Sequence, residues 1–168
     1  MSAIHRFSLA YDTEEDRLTC DTEDQSGATT RLWLTQRLCR GLLPALLPML
    51  QKAVPQKVAP EHQAAVQSFE QAAALSTFAK LPPVQARAET VVGLVKAVHI
   101  QPGPNGLTMT FDFGVDGHRT LALTFAEVRQ MLAVMHRLEA IAGWPLDQWP
   151  EWITGGGGGD AASAAALN

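Results

Sequence analysis

The tetrapeptide Leu32-Trp33-Leu34-Thr35 returns 89 positions later as Leu121-Ala122-Leu123-Thr124. In both places an alternating apolar run gives way to a threonine and then to apolar residues at helical spacing. Alternation at period two marks a half-buried strand. A threonine at the change of period supplies an N-cap, its hydroxyl accepting from an otherwise unpaired amide of the first turn. The chain must therefore accommodate two strand-to-helix steps, at Thr35 and at Thr124.

Upstream of the first step, residues 4–11 alternate with Phe7, Leu9 and Tyr11 on one side. Thr13 to Asp16 make a polar turn, Arg17 to Thr22 a second strand, Gln25-Ser26-Gly27 another turn, and Ala28 to Leu34 a third strand. The helix from Thr35 to about Leu50 places Cys39, Leu42, Leu43, Leu46, Met49 and Leu50 at helical spacing, and Pro44 and Pro48 should kink or segment it. Residues 61–80 read as an Ala- and Gln-rich linker helix with Val66, Phe69, Ala73 and Leu75 as its apolar stripe, stopped by Leu81-Pro82-Pro83.

Upstream of the second step, Leu94 to Gln101 reads as one strand and Leu107 to Phe113 as the next, separated by the turn Pro102 to Gly106. Asp116-Gly117 is a hairpin dipeptide leading into His118 to Leu123. Thr124 and Glu127 form a capping box, and Phe125, Val128, Met131, Leu132, Met135, Leu138 and Ala142 form the buried stripe of a helix that Gly143 ends. Residues 18–49 align with 107–138 without a gap, matching Leu18/Leu107, Leu32/Leu121, Leu34/Leu123, Thr35/Thr124, Arg40/Arg129 and Leu43/Leu132.

The expected fold is therefore α+β, an internal duplication of a βββα unit with antiparallel sheets backed by helices and an extra linker helix. Residues 1–153 form a single domain: unit one at about 4–53, the linker helix at about 61–80, unit two at about 90–143, and a Trp/Pro-rich segment at 144–153. Residues 154–168, opening on a glycine run, read as a flexible tail.

The net charge of −4 disfavours a general nucleic-acid binder, which needs clustered cations. Cys20 and Cys39 lie on different elements without a C-x-x-C spacing, so both thiols are expected free in a cytoplasmic setting. The longest stretch without a polar side chain, Gly41 to Leu50, is half of the roughly 20 residues a membrane span requires. No membrane partner and no export signal are expected.

Seven acidic residues lie between Asp12 and Asp24, but they follow no cation-loop spacing, and solvated hairpin turns account for them. His5, His62, His99, His118 and His136 show no metal-ligand spacing, and no nucleophile elbow, phosphate loop or dinucleotide fingerprint occurs. No metal, no cofactor and no catalytic residue is expected.

Two kinds of partner remain. Because Gly41 to Leu50 carries no polar side chain, the first helix lacks a solvated face. We therefore expect a non-catalytic interaction protein that self-associates through Leu42, Leu43, Leu46, Leu47 and Leu50, with Trp149 and Trp152 as further aromatic anchors. The alternative is single-stranded nucleic acid. Arg31 and Trp33 share a strand face, Arg37 and Arg40 follow on the helix, and no acid occurs between Asp24 and Glu61. In its duplicated strands-then-helix layout the chain loosely resembles the Whirly and PC4-like single-strand binders, whose repeats have four strands before the helix against three here.

Overall fold

The computed structural model describes residues 2–54, 58–155 and 166–167. Three strands open the chain: β1 (Ser2–Asp12), β2 (Arg17–Asp24) and β3 (Thr29–Leu34) form an antiparallel meander. Helix α1 (Gln36–Lys52) follows, then a single 3-10 turn and α2 (Gln63–Ser76). The strand expected over 94–101 is two strands, β4 (Val91–Leu94) and β5 (Ala97–Pro102). A second antiparallel meander joins β5 to β6 (Gly106–Asp112) and β7 (His118–Thr124). Helices α3 (Phe125–Ala142) and α4 (Glu151–Thr154) come next, and β8 (Ala166–Leu167) pairs with β1.

The protein is α+β, but it is not the antiparallel βββα duplication that the two Leu-x-Leu-Thr steps suggest. All seven main strands belong to one mixed sheet, in the order β4-β3-β2-β1-β7-β6-β5, curled into a half-barrel. Two of its junctions are parallel: β1 meets β7 over Ser2 and Ala3, and β3 meets β4 over four residues. Among the described residues no strand of the first half corresponds to β4. The shared leucines and threonines are those that any strand leading into a capped helix selects, so they report local structure and do not specify how the strands pair.

The curl has a covalent cause. β4 and β5 stand at opposite ends of the strand order, yet only Val95 and Lys96 separate them in the chain. Two consecutive amides bridge the ends of the sheet, Val95 N donating to the Trp33 carbonyl at 3.0 Å and Lys96 N to the Asp112 carbonyl at 2.7 Å. Gly93 is required at this corner, because a Cβ there would lie 2.5 Å from the Phe113 ring.

The concave face carries the core. Phe7, Leu9, Leu18, Cys20, Leu32 and Leu34 from one meander meet Leu107, Met109, Phe111, Leu121 and Leu123 from the other, with α1 and α3 filling the hollow. Thr35 caps α1 by accepting from Leu38 N at 3.2 Å. Pro44 and Pro48 do not segment α1, which runs unbroken. They lie four residues apart on its exposed side, where water can satisfy the carbonyls that lose an amide partner.

Two burial patterns differ from expectation. Phe69 of α2 is 72% exposed and Ala73 is exposed, while Gln67, Gln71 and Ala74 are buried. Arg129, Gln130 and Glu139 of α3 are buried too, because α2 and α4 cover the first two and Trp149, just ahead of α4, covers Glu139. The expected flexible tail lies outside the described residues over 156–165, while Ala166–Leu167 add to the sheet as β8. Among the described residues no helix is long and apolar enough to cross a membrane.

Candidate binding groove

Helix α1 crosses the concave side of the half-barrel and leaves a groove against β5. Thr35, Arg37, Leu38, Gly41, Leu42 and Ala45 form its helical wall. The corner Leu94-Val95-Lys96 closes one end, and Val98 and Ile100 of β5 form the opposite wall, enclosing about 470 Å³. Each wall has a sequence reason. Gly41 and Ala45, four apart, thin one flank of the helix. Val98 and Ile100 pair with Phe111 and Met109, so they face the concave side, but β5 is an edge strand and leaves them half-exposed. Arg37 and Lys96 are the charged residues of the lining, both exposed, and no acidic side chain is among them.

Beside the groove lies the free edge of β4. In a parallel ladder alternate residues address the neighbouring strand. The Val95 amide bonds β3, so Val91 and Gly93 turn their backbone groups to β3 as well, and Val92 and Leu94 turn theirs outward. Val91, Val92 and Leu94 are 42%, 55% and 42% exposed. Through the register Arg31↔Val92 and Trp33↔Leu94, the last two share the convex face with Arg31 and Trp33. An uncharged, proline-free open edge is uncommon, since such edges invite pairing with another chain.

The residues expected to form a partner surface are dispersed. Leu42, Leu43, Leu46 and Leu50 are buried in the protein's own core, and Leu47 is half-buried. Leu42 alone of these lines the groove. Trp149 is buried and donates its indole N–H to Glu139 Oε2 at 2.7 Å, so it is an internal cap for α3. Trp152 is half-buried, with the Arg129 guanidinium 5.2 Å from its ring centroid.

The four residues of the nucleic-acid alternative are also divided. Arg31 grips Asp21 with two hydrogen bonds of 2.7 and 2.8 Å, and this pairing raises its already high pKa. Its guanidinium lies 6.0 Å from the half-buried Trp33 ring. Arg40 is held by Asp147 at 2.9 and 3.3 Å, tying α1 to the segment after α3. Arg37 makes no ion pair among the described residues.

Much of the acidic cluster serves turns. Asp12 Oδ1 accepts from the amides of Glu14 and Glu15, and Asp24 Oδ1 from those of Ser26 and Ala28. Asp16 accepts from Trp144 Nε1 at 2.9 Å and Tyr11 Oη at 2.8 Å, bonds that hold its carboxyl below the usual carboxylate range. Among the described residues no group of three or more His, Cys, Asp and Glu is placed to hold a metal. Both cysteines are free and buried. Burial, with Glu139 nearby, pushes the Cys39 thiol up to about 12, and burial raises Cys20 as well.

Glu139 is a buried carboxyl on α3. Burial raises its pKa, opposed by the Trp149 hydrogen bond and by Arg40. The neighbouring His136 packs edge-on to Trp149 with centroids 5.1 Å apart, and burial lowers its pKa. Arg129 has no carboxylate within ion-pair distance among the described residues. It donates to Gln67 Oε1 at 2.6 Å and to the Gln67 carbonyl at 3.4 Å.

Sequence reasoning missed the groove and the edge. The signal for the edge was present as Val91-Val92-Gly93-Leu94, a run without charge or proline after a polar linker. The groove had no such signal, since β5 and α1 are far apart in the chain. No family model, curated protein or solved structure matches this chain.

Proposed function

We propose that this is a non-catalytic cytoplasmic interaction protein that self-associates. The contact is the free edge of β4, not the α1 leucines, which are occupied by the protein's own core. The observation that carries this reading is the outward-turned backbone of Val92 and Leu94 on an edge with three exposed apolar side chains in four residues. Backbone parity allows two copies to pair antiparallel about Gly93, with Val92 of each opposite Leu94 of the other, extending one sheet into the next. Such a contact is isologous, as the commonest homodimers are. It also places Val92, Leu94 and Trp33 of both copies in one apolar strip on the convex face. Two free, buried cysteines suit a reducing compartment.

Light scattering across a concentration series tests the proposal. The expected result is a dimer that Val92→Pro converts to monomer with unchanged far-UV circular dichroism. Proline there removes an amide that points away from β3, which edge strands tolerate. A wild-type chain that stays monomeric at every concentration rules the proposal out.

A further inference from the structure

The groove between α1 and β5 carries a second inference, drawn from residues other than Leu94, which it shares with the β4 contact. Its volume, about 470 Å³, lies in the range of roughly 300–1,000 Å³ typical of small-molecule sites. Leu38, Leu42, Val98 and Ile100 give it an apolar floor. Its two charges, Arg37 and Lys96, have the same sign, and among the described residues neither makes an ion pair. The chain has 17 acidic residues against 13 Lys and Arg, so a concave surface with two cations and no acid runs against its overall balance. Charge complementarity calls for an anion, and the floor calls for a hydrocarbon attached to it.

The two long capped helices sharpen this. At the start of α3 the Glu127 carboxylate already accepts from Thr124 N at 2.7 Å and Thr124 Oγ1 at 2.8 Å. At the start of α1 the residue three past the cap is Leu38, a groove residue, and the first turn contains no acid. The helix end beside the groove thus lacks the internal anion that its counterpart possesses, and its partial positive charge adds to that of Arg37 and Lys96.

We infer that the groove binds an amphipathic monocarboxylate of the straight-chain acyl type. Its carboxylate faces Arg37 and Lys96, and its chain lies along Leu38, Leu42, Val98 and Ile100.

Calorimetric titration of the full chain with decanoate, kept below its own aggregation concentration, tests this. Saturable binding is expected, weakened by about ten-fold or more in the double variant Arg37→Glu, Lys96→Glu, and nearly retained in Arg37→Lys, Lys96→Arg. Both positions are exposed, and circular dichroism checks that the variants fold. Acetate, which lacks the chain, and decyltrimethylammonium, which lacks the anion, are expected to bind at least about ten-fold more weakly. Failure of decanoate to bind, equal binding of decyltrimethylammonium, or an unchanged affinity in the charge-reversed variant overturns the inference. The Val92→Pro monomer should bind decanoate like the wild type, so failure of one proposal does not remove the other.

Discussion

Helices α1 and α3 each follow a Leu-x-Leu-Thr step and each begin at a threonine cap, yet they sit in opposite surroundings. Helix α1 has ten consecutive residues without a polar side chain, Gly41 to Leu50, and still shows water a face made of Gly41, Pro44, Ala45 and Pro48. Helix α3 carries Arg129, Gln130 and Glu139, and it buries all three. Composition alone would assign the burial the other way round. The reason is layering. Small residues and prolines cost little when exposed, so α1 needs no cover on that side. On α3 a second layer, α2 with α4 and the segment leading into α4, supplies the partners that buried polar groups require. Gln130 Nε2 donates to the Ala74 carbonyl at 2.7 Å, Gln71 Nε2 to the Arg129 carbonyl at 3.1 Å, and Trp149 Nε1 to Glu139.

The largest test of the contrast is in α1. Leu46 is fully buried, so Leu46→Ala should cost about 2–5 kcal/mol in urea unfolding, as a cavity in a packed core does. A cost below about 1 kcal/mol would return this leucine to the surface role its sequence context suggested. On α3 the matching test removes a polar partner. Gln67→Ala leaves the buried Arg129 guanidinium without its shortest hydrogen bond and should cost about 1–3 kcal/mol. Arg129→Met in the same background should recover part of that loss, since an apolar replacement needs no partner.

A smaller difference separates the caps. Thr124 belongs to a reciprocal capping box, whereas Thr35 accepts a single bond. Thr124→Ala should therefore cost about 1 kcal/mol, and Thr35→Ala less. Equal losses would show that the Glu127 carboxylate adds nothing.

The polar side of α3 also predicts a pH effect. Because burial raises the Glu139 pKa above its ordinary 4.5, the folded chain binds this proton more tightly than the unfolded one. The stabilisation from the protonated form is complete below the unfolded value and is lost as pH rises through the raised folded value. Glu139→Gln keeps an acceptor for Trp149 and removes the titration. The stability of this variant relative to wild type should thus rise with pH across that window. His136, whose pKa burial lowers, acts in the opposite sense but is present in both proteins, so the difference isolates Glu139. A pH-independent difference between the two urea midpoints would contradict the assignment.

The smallest expected effect is on α2. Phe69→Ala should change stability by less than about 0.5 kcal/mol, because the ring is 72% exposed. A loss of several kcal/mol would restore the stripe of Val66, Phe69, Ala73 and Leu75 as the packing face of α2.

Legibility followed the range of the interaction. Both caps, the Gly143 helix end at φ 69° and the inward residues Phe7, Leu9, Leu32, Leu34, Met109 and Phe111 could be read from neighbours within a few positions. The break at Val95 and Lys96 could not, because no turn residue marks it and it is set by partners in β3 and β6. The face of α2 was misread for a related reason. Its buried glutamines, Gln71 and Gln67, answer to Arg129, 58 and 62 residues away. As for the site, Arg37 and Leu42 were singled out from sequence, each for a different purpose. Lys96, Val98 and Ile100 were not, since nothing local marks a strand as an edge beside a helix.

What the sequence determined by itself was therefore six of the main strands and the three long helices, through side-chain period, capping hydroxyls and turn residues that act over one to four positions. Tertiary structure alone decided the mixed sheet order, the curl that brings β4 round to β5, the inversion of burial between α1 and α3, and the groove. Each of these depends on which strand or helix lies alongside. That choice is settled by the joint burial of apolar faces and the pairing of polar groups far apart in the chain, which no local pattern encodes.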